Sequence, residues 1–119
     1  LYATCDVVVV PSRYESFGLM LLEAMMFAKP VIASRVGGMD EIVVDGETGL
    51  LVPPEDVDAL VAALASLLSH PCRRVKMGAA GRARYADRYS RHTMVEGAIE
   101  FYRSLTRQRQ MRYCPNQKL

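Results

Sequence analysis

Two carboxylates, Glu15 and Glu23, are separated by seven residues in the stretch PSRYESFGLMLLE, residues 11–23. An ionised carboxylate accepts paired hydrogen bonds, which suits the vicinal hydroxyls of a sugar or a ribose. Between the two acids, Gly18 opens the run Leu19-Met20-Leu21-Leu22-Glu23-Ala24-Met25-Met26, which has helical character. A helix start presents unpaired N–H groups and a partial positive charge, a ready seat for an anion. Glu15 lies in the loop before that seat and Glu23 inside the helix, four residues after Leu19. Acids on either side of an anion seat fit a ligand with both phosphate and hydroxyls, such as a nucleotide sugar. In this reading the amides near Phe17, Gly18 and Leu19 are free to point at the diphosphate. Gly18, lacking a Cβ, lets the backbone approach it. Glu15 accepts from the sugar, and Glu23 reaches back to the ribose. A carboxylate beside the sugar can also steady a developing oxocarbenium charge. The same residues have structural roles open to them. A glutamate before a helix complements its dipole, and one inside a helix can be a solvated surface residue.

The elements that must position these residues are strands alternating with helices. Four consecutive valines, Val7 to Val10, end a strand over 6–10 that is buried on both faces, as in a parallel sheet. A helix over 18–28 ends at Lys29-Pro30, because the residue before proline resists helical geometry. A second strand at 31–33, the Gly37-Gly38 loop and a helical turn over 39–43 follow. Asp45-Gly46 and Thr48-Gly49 are turn signals before a third strand at 50–52, which Pro53-Pro54 stops. Asp56 caps a helix whose Leu60, Val61, Leu64, Leu67 and Leu68 share a face, and His70-Pro71 ends it. A polar helix over 73–88 is interrupted at Gly81. Ser90 caps a last helix with Met94, Val95, Ala98, Ile99, Tyr102 and Leu105 on its inner face. The expected class is α/β, a partial Rossmann-like parallel sheet of about three strands with flanking helices.

Composition narrows the function. With 119 residues, half of them apolar, the chain is long enough for one domain with a real core. The net charge of +2 is uneven. Arg107, Arg109, Arg112 and Lys118 give the tail +4, leaving 11 basic against 13 acidic residues, or −2, in the body. The body therefore has no electrostatic footprint for nucleic acid. The tail could touch an anionic membrane as a peripheral contact, though it reads first as a solvated terminus. No apolar run is long enough to span a bilayer, and the N-terminus has no signal-peptide pattern. Cys5, Cys72 and Cys114 are odd in number and widely spaced, which points to no disulfide framework or zinc site and to a reducing cytoplasm. His70 and His92 stand far apart and form no triad or ligand pattern. The chain lacks an initiator Met and enters a strand almost at once, and is read as part of a longer protein.

The stretch PSRYESFGLMLLEAMMFAKPVIASRVGGMDEIVVDGETGLLVPPED resembles the donor-binding half of retaining glycosyltransferases of family 4, which have the two-Rossmann-domain GT-B fold. The pair Glu15 and Glu23 within P-S-x-x-E-x-F-G-L-x-x-L-E-A-M is their hallmark. Pro30 to Ser34, Val36-Gly37-Gly38, Glu41, Asp45-Gly46, Thr48-Gly49 and Pro53 match in order. The resemblance covers roughly residues 1–106. It implies that Glu15 faces the donor sugar and is the catalytic carboxylate. Ser16, Phe17 and Gly18 would contact sugar hydroxyls and phosphate, Leu19 would turn its amide to the diphosphate, and Glu23 would bind the ribose. It implies no metal and no cofactor, a nucleotide diphosphate sugar as donor, and an N-terminal acceptor-binding domain of the same protein as partner. Gly37-Gly38 and Glu41 look like a supporting loop, with turn and packing roles equally open to them.

The chain departs from the family's pattern at Phe27-Ala28-Lys29, where a small residue and then glycine usually precede the proline. Ala28 fits if the helix ends without a left-handed residue there, and Phe27 asks for extra room. The family's glycine-rich loop and basic pair, which contact the donor phosphates, would both lie before Leu1. Arg13, Lys29 and Arg35 are present but do not occupy the matching positions. An uncompensated diphosphate is costly to desolvate. The expectation is thus an N-terminally incomplete nucleotide-sugar-binding domain at 1–106 and a basic, flexible tail at 107–119. The full protein would be a hexosyltransferase, and the chain alone inactive. Whether any side chain acts as a nucleophile stays open. One alternative is a non-catalytic fragment that binds nucleotide weakly. Another is a nucleotide-sugar epimerase of the same fold, against which the Phe-Gly-Leu and Glu-Ala-Met context weighs. A dehydrogenase would need GxGxxG after a strand and an α/β-hydrolase a GxSxG elbow, and the chain has neither.

Overall fold

The computed structural model describes residues 2–113, with the side chains of 2–107. A 3-10 turn at Tyr2–Thr4 leads into β1 (Val8–Val10), α1 (Leu19–Met26) and β2 (Val31–Ser34). Then come α2 (Met39–Ile42), β3 (Gly49–Val52), α3 (Val57–Ser69), α4 (Pro71–Arg88) and α5 (Arg91–Tyr113). The three strands form one parallel sheet in the order β1-β2-β3. Val8, Val9 and Val10 pair with Val31, Ile32 and Ala33, and β2 in turn pairs Val31 with Gly49 through Ser34 with Val52. β1 is shorter than the expected 6–10 because its ladder begins at Pro30, whose carbonyl accepts the Val8 amide at 3.0 Å. Proline has no N–H with which to extend the pairing further.

The sheet is buried on both faces, as the valine run predicts. Val8, Val10, Val31 and Ala33 pack with Leu21, Met25 and Met39 on one side. Ile32 and Val52 pack with Leu67 and Met77 on the other, beside Val9 and Leu60. The Asp56 cap forms as expected, with Oδ1 accepting the Ala59 amide at 2.9 Å. α4 starts at Pro71, earlier than the expected Arg73. Proline at a first helical position loses nothing, since its missing donor would have no partner there.

Three expectations are corrected. Gly81 does not interrupt α4. It is buried where α4 crosses α1, and a Cβ on it would sit 3.2 Å from Met25 Cγ. One turn earlier, a Cβ on Gly78 would overlap the Ala28 carbonyl, so these two glycines let the helices approach. α1 ends in a Schellman motif with the Ala28 amide on Met25 and the Lys29 amide on Ala24, both at 2.9 Å. Ala28 therefore does take the left-handed conformation, at φ 54, because the backbone must reverse sharply into β2. The third correction concerns α5. Met94, Val95, Ile99, Tyr102 and Leu105 are exposed, so the expected inner face is left largely uncovered by the described residues. α5 is helical through Tyr113, past the expected tail start at Arg107, and 114–119 lie outside the described residues. No helix among the described residues is long and apolar enough to cross a membrane.

Candidate functional site

Glu15, Ser16, Phe17, Gly18 and Leu19 meet at the N-terminus of α1, beyond the C-terminal end of β1. Open parallel sheets place ligands at such strand ends. The backbone amides of Ser16, Phe17 and Gly18 donate to Glu15 Oε1 at 3.1, 3.3 and 3.2 Å. These hydrogen bonds, foremost those from Gly18 and Phe17, hold the Glu15 carboxyl below its usual range. Two of the three amides expected to be free for a diphosphate are thus taken by the chain's own carboxylate. The physical reason is local: a carboxylate three residues ahead of Gly18 reaches the open donors of the helix start as a cap would. The Leu19 amide keeps no protein partner among the described residues. Glu15 Oε2 accepts no hydrogen bond among the described residues and is the oxygen available to a ligand.

Gly18 also has a structural role. It is buried and left-handed at φ 68, and a Cβ on it would lie 3.0 Å from Ile42 Cδ1. Glycine is needed there for the backbone turn and for the contact with α2. Gly37, at φ 55, backs the loop from the other side, where a Cβ would overlap the Glu15 carbonyl oxygen. α2 is in turn held by α4. Arg84 donates through Nε to the Ile42 carbonyl at 2.8 Å and through Nη2 to the Glu41 carbonyl at 2.6 Å. The Tyr89 hydroxyl donates to that Glu41 carbonyl at 2.8 Å. Support of the Glu15 loop therefore runs from α4 through α2 and Gly37.

Glu23 stands exposed on α1, about 6 Å along the axis from Leu19 at the usual helical rise. Its Oε2 accepts from the Tyr2 hydroxyl at 2.8 Å. Tyr2 stacks on Phe27, ring centroids 5.8 Å apart and planes 16° from parallel. The room that Phe27 asks for is thus found outside the core. An apolar groove lined by Phe17, Leu19, Leu22, Met26, Met94 and Val95 runs beside Glu23.

Three cations that the sequence offers, Arg13, Lys29 and Arg35, have partners of their own, whereas Arg91 lines the groove beside Glu23. Arg13 pairs with Glu55 at 2.8 Å, and Arg35 with Asp40 at 3.2 Å and Asp45 at 2.9 Å. Lys29 Nζ donates to the Ala3 carbonyl at 3.4 Å. His70 Nδ1 lies 2.8 Å from the Ser66 carbonyl, and His92 pairs with Glu96 at 3.2 Å; neither adjoins the glutamates. No group of three or more His, Cys, Asp or Glu side chains is placed to hold a metal among the described residues. Sequence reasoning missed Tyr2, Arg84 and Tyr89. Their partners lie 21, 42 and 48 residues away, and no local pattern announces such contacts.

This geometry, on a three-stranded parallel α/β layer, sets the class. The chain belongs to the glycosyl transferases group 1 family, whose match covers residues 1–84. It is 43% identical over 105 residues to the D-inositol 3-phosphate glycosyltransferase of Corynebacterium urealyticum, covering 88% of this chain and 24% of that protein. Among solved structures it resembles the sucrose-phosphate synthase of Thermosynechococcus elongatus, with TM-score 0.84, 41% identity, and coverage of 90% of this chain and 27% of that one. It also resembles Anabaena HepE in complex with UDP, with TM-score 0.83, 28% identity, and coverage of 87% and 29%. The chain spans about a quarter of the length of the relatives it matches.

Proposed function

We propose that this chain is the donor-binding part of a retaining transferase that moves a sugar from a nucleoside diphosphate sugar to an acceptor. The observation that carries the reading is the pairing of Glu15, seated at the start of α1, with Glu23 about one turn further along the same helix. Family membership supports it, as do the relatives' names. Anabaena HepE, similar in fold, is described with UDP and with UDP-glucose.

In the reaction the bond between the anomeric carbon and the phosphate oxygen breaks, and the nucleoside diphosphate leaves with the electron pair. The acceptor oxygen bonds to the same carbon and passes its proton to the departing diphosphate. Positive charge builds on the sugar, and negative charge on the diphosphate. Glu15, kept ionised by the amides it caps, offers Oε2 to the sugar and opposes the positive charge. The open Leu19 amide and the α1 dipole receive the diphosphate. Glu23 takes the ribose hydroxyls. Arg13, Lys29 and Arg35 are engaged elsewhere, so other cations complete the phosphate site. No metal or cofactor takes part, the acceptor sits on an N-terminal domain, and the enzyme works in the cytoplasm.

The test is to incubate the full-length protein with UDP-, GDP- and ADP-sugars and acceptor extracts. Nucleoside diphosphate release and the anomeric configuration of the product, by NMR, are the readouts. A glycoside with the donor's configuration is expected. An inverted product contradicts the retaining assignment, and release of a free epimerised sugar favours the epimerase.

A further inference from the structure

Glu23 is an exposed side chain with three rotatable bonds, and free in solution it would sample several rotamers. A carboxylate that must meet two adjacent hydroxyls binds better if its plane is set beforehand. The structure supplies a group that could set it. Tyr2 Oη donates to Glu23 Oε2 at 2.8 Å, leaving Oε1 for a ligand. Tyr2 is itself held. Its ring packs against the core on one side and stacks on Phe27, ring centroids 5.8 Å apart. Its 3-10 turn is tied down by Cys5 Sγ, 3.4 Å from the Tyr2 carbonyl, and by Lys29 Nζ, 3.4 Å from the Ala3 carbonyl. Phe27, the residue that departs from the family's pattern, is therefore part of the same assembly.

We propose that Tyr2, buttressed by Phe27, is a positioning residue that fixes the Glu23 carboxylate for recognition of a nucleotide's vicinal ribose hydroxyls. The inference rests on the assignment of Glu23 to the ribose. Tyr2 touches neither the sugar nor the diphosphate and acts through Glu23. A phenol is protonated at neutral pH and so serves as a donor, and the bond to Glu23 raises it further above its ordinary value of 10.0.

The test uses the full-length protein and calorimetry with whichever of UDP, GDP and ADP binds tightest, beside its 2′,3′-dideoxy analogue. The quantity read is the ratio of the two affinities. Tyr2→Phe keeps the ring on Phe27 and on the core, so the fold is retained and only the hydroxyl is lost. The variant is expected to bind the ribonucleotide about tenfold more weakly, with the dideoxy analogue unchanged, so the ratio falls. Glu23→Ala is expected to abolish the ratio. A Tyr2→Phe protein that keeps the wild-type ratio while Glu23→Ala loses it overturns the positioning role and leaves the ribose assignment standing. A Glu23→Ala protein that keeps the ratio overturns the assignment, and the proposal with it.

Discussion

Glu15 reaches the amides of Ser16, Phe17 and Gly18 because Gly18 turns left-handed and Gly37 leaves room behind the loop. Those bonds favour the ionised form, so the folded-state pKa lies below the usual 4.5. For a depressed carboxyl, the contribution to stability is complete above the unfolded value. It is lost as pH falls through the folded one. An NMR titration should therefore show the Glu15 side-chain carbon and the Gly18 amide moving together, with a midpoint below 4.5. A midpoint above that would mean that the amides do not hold the carboxylate. The spacing of Glu15 and Glu23 was legible in the sequence, because both lie in one short loop and helix. The partners of those acids were not. Whether Glu15 turns inward onto the amides depends on its rotamer, and Tyr2 meets Glu23 only once β1 and α1 have packed.

The elements that could be read from the sequence are those with local causes. β1 and β2 follow from their β-branched runs, and the start of α3 from the Asp56 cap. What sequence could not supply was the partner of each helix face. Gly81 looked like a break because its packing partner, Met25, lies 56 residues earlier. The face of α5 looked buried because apolar periodicity implies a cover without saying which one. The α1–β2 turn yields a test at this scale. Ala28 holds φ 54, a conformation costing a residue with a Cβ roughly 1–2 kcal/mol. Ala28→Gly removes that cost and gives back part of it through a more flexible unfolded chain. The net expectation is a gain of about 0.5–1 kcal/mol in urea unfolding of the chain. A loss would mean that the Ala28 methyl contributes more by packing than its backbone costs.

For the molecule as a whole, the proposed reading makes the site one wall of a larger one. Arg13, Lys29 and Arg35 are engaged with Glu55, the Ala3 carbonyl, and Asp40 and Asp45. α5 carries an uncovered apolar face, and the chain spans about a quarter of its relatives. These facts agree with a unit that holds the donor and takes its remaining phosphate contacts and its acceptor from elsewhere. On the proposed reading the two glutamates divide the labour, Glu15 acting on the sugar as charge develops and Glu23 on the nucleotide in ground and transition states alike. Interactions of the first kind appear in kcat, and those of the second in KM. The most direct measurement is steady-state kinetics of the full-length protein carrying Glu15→Gln or Glu23→Ala. Glu15→Gln is expected to lower kcat on the order of 100-fold with little change in donor KM. Glu23→Ala is expected to raise donor KM about tenfold with kcat largely kept. An unchanged kcat in Glu15→Gln, or two variants that alter the same constant, would contradict the division.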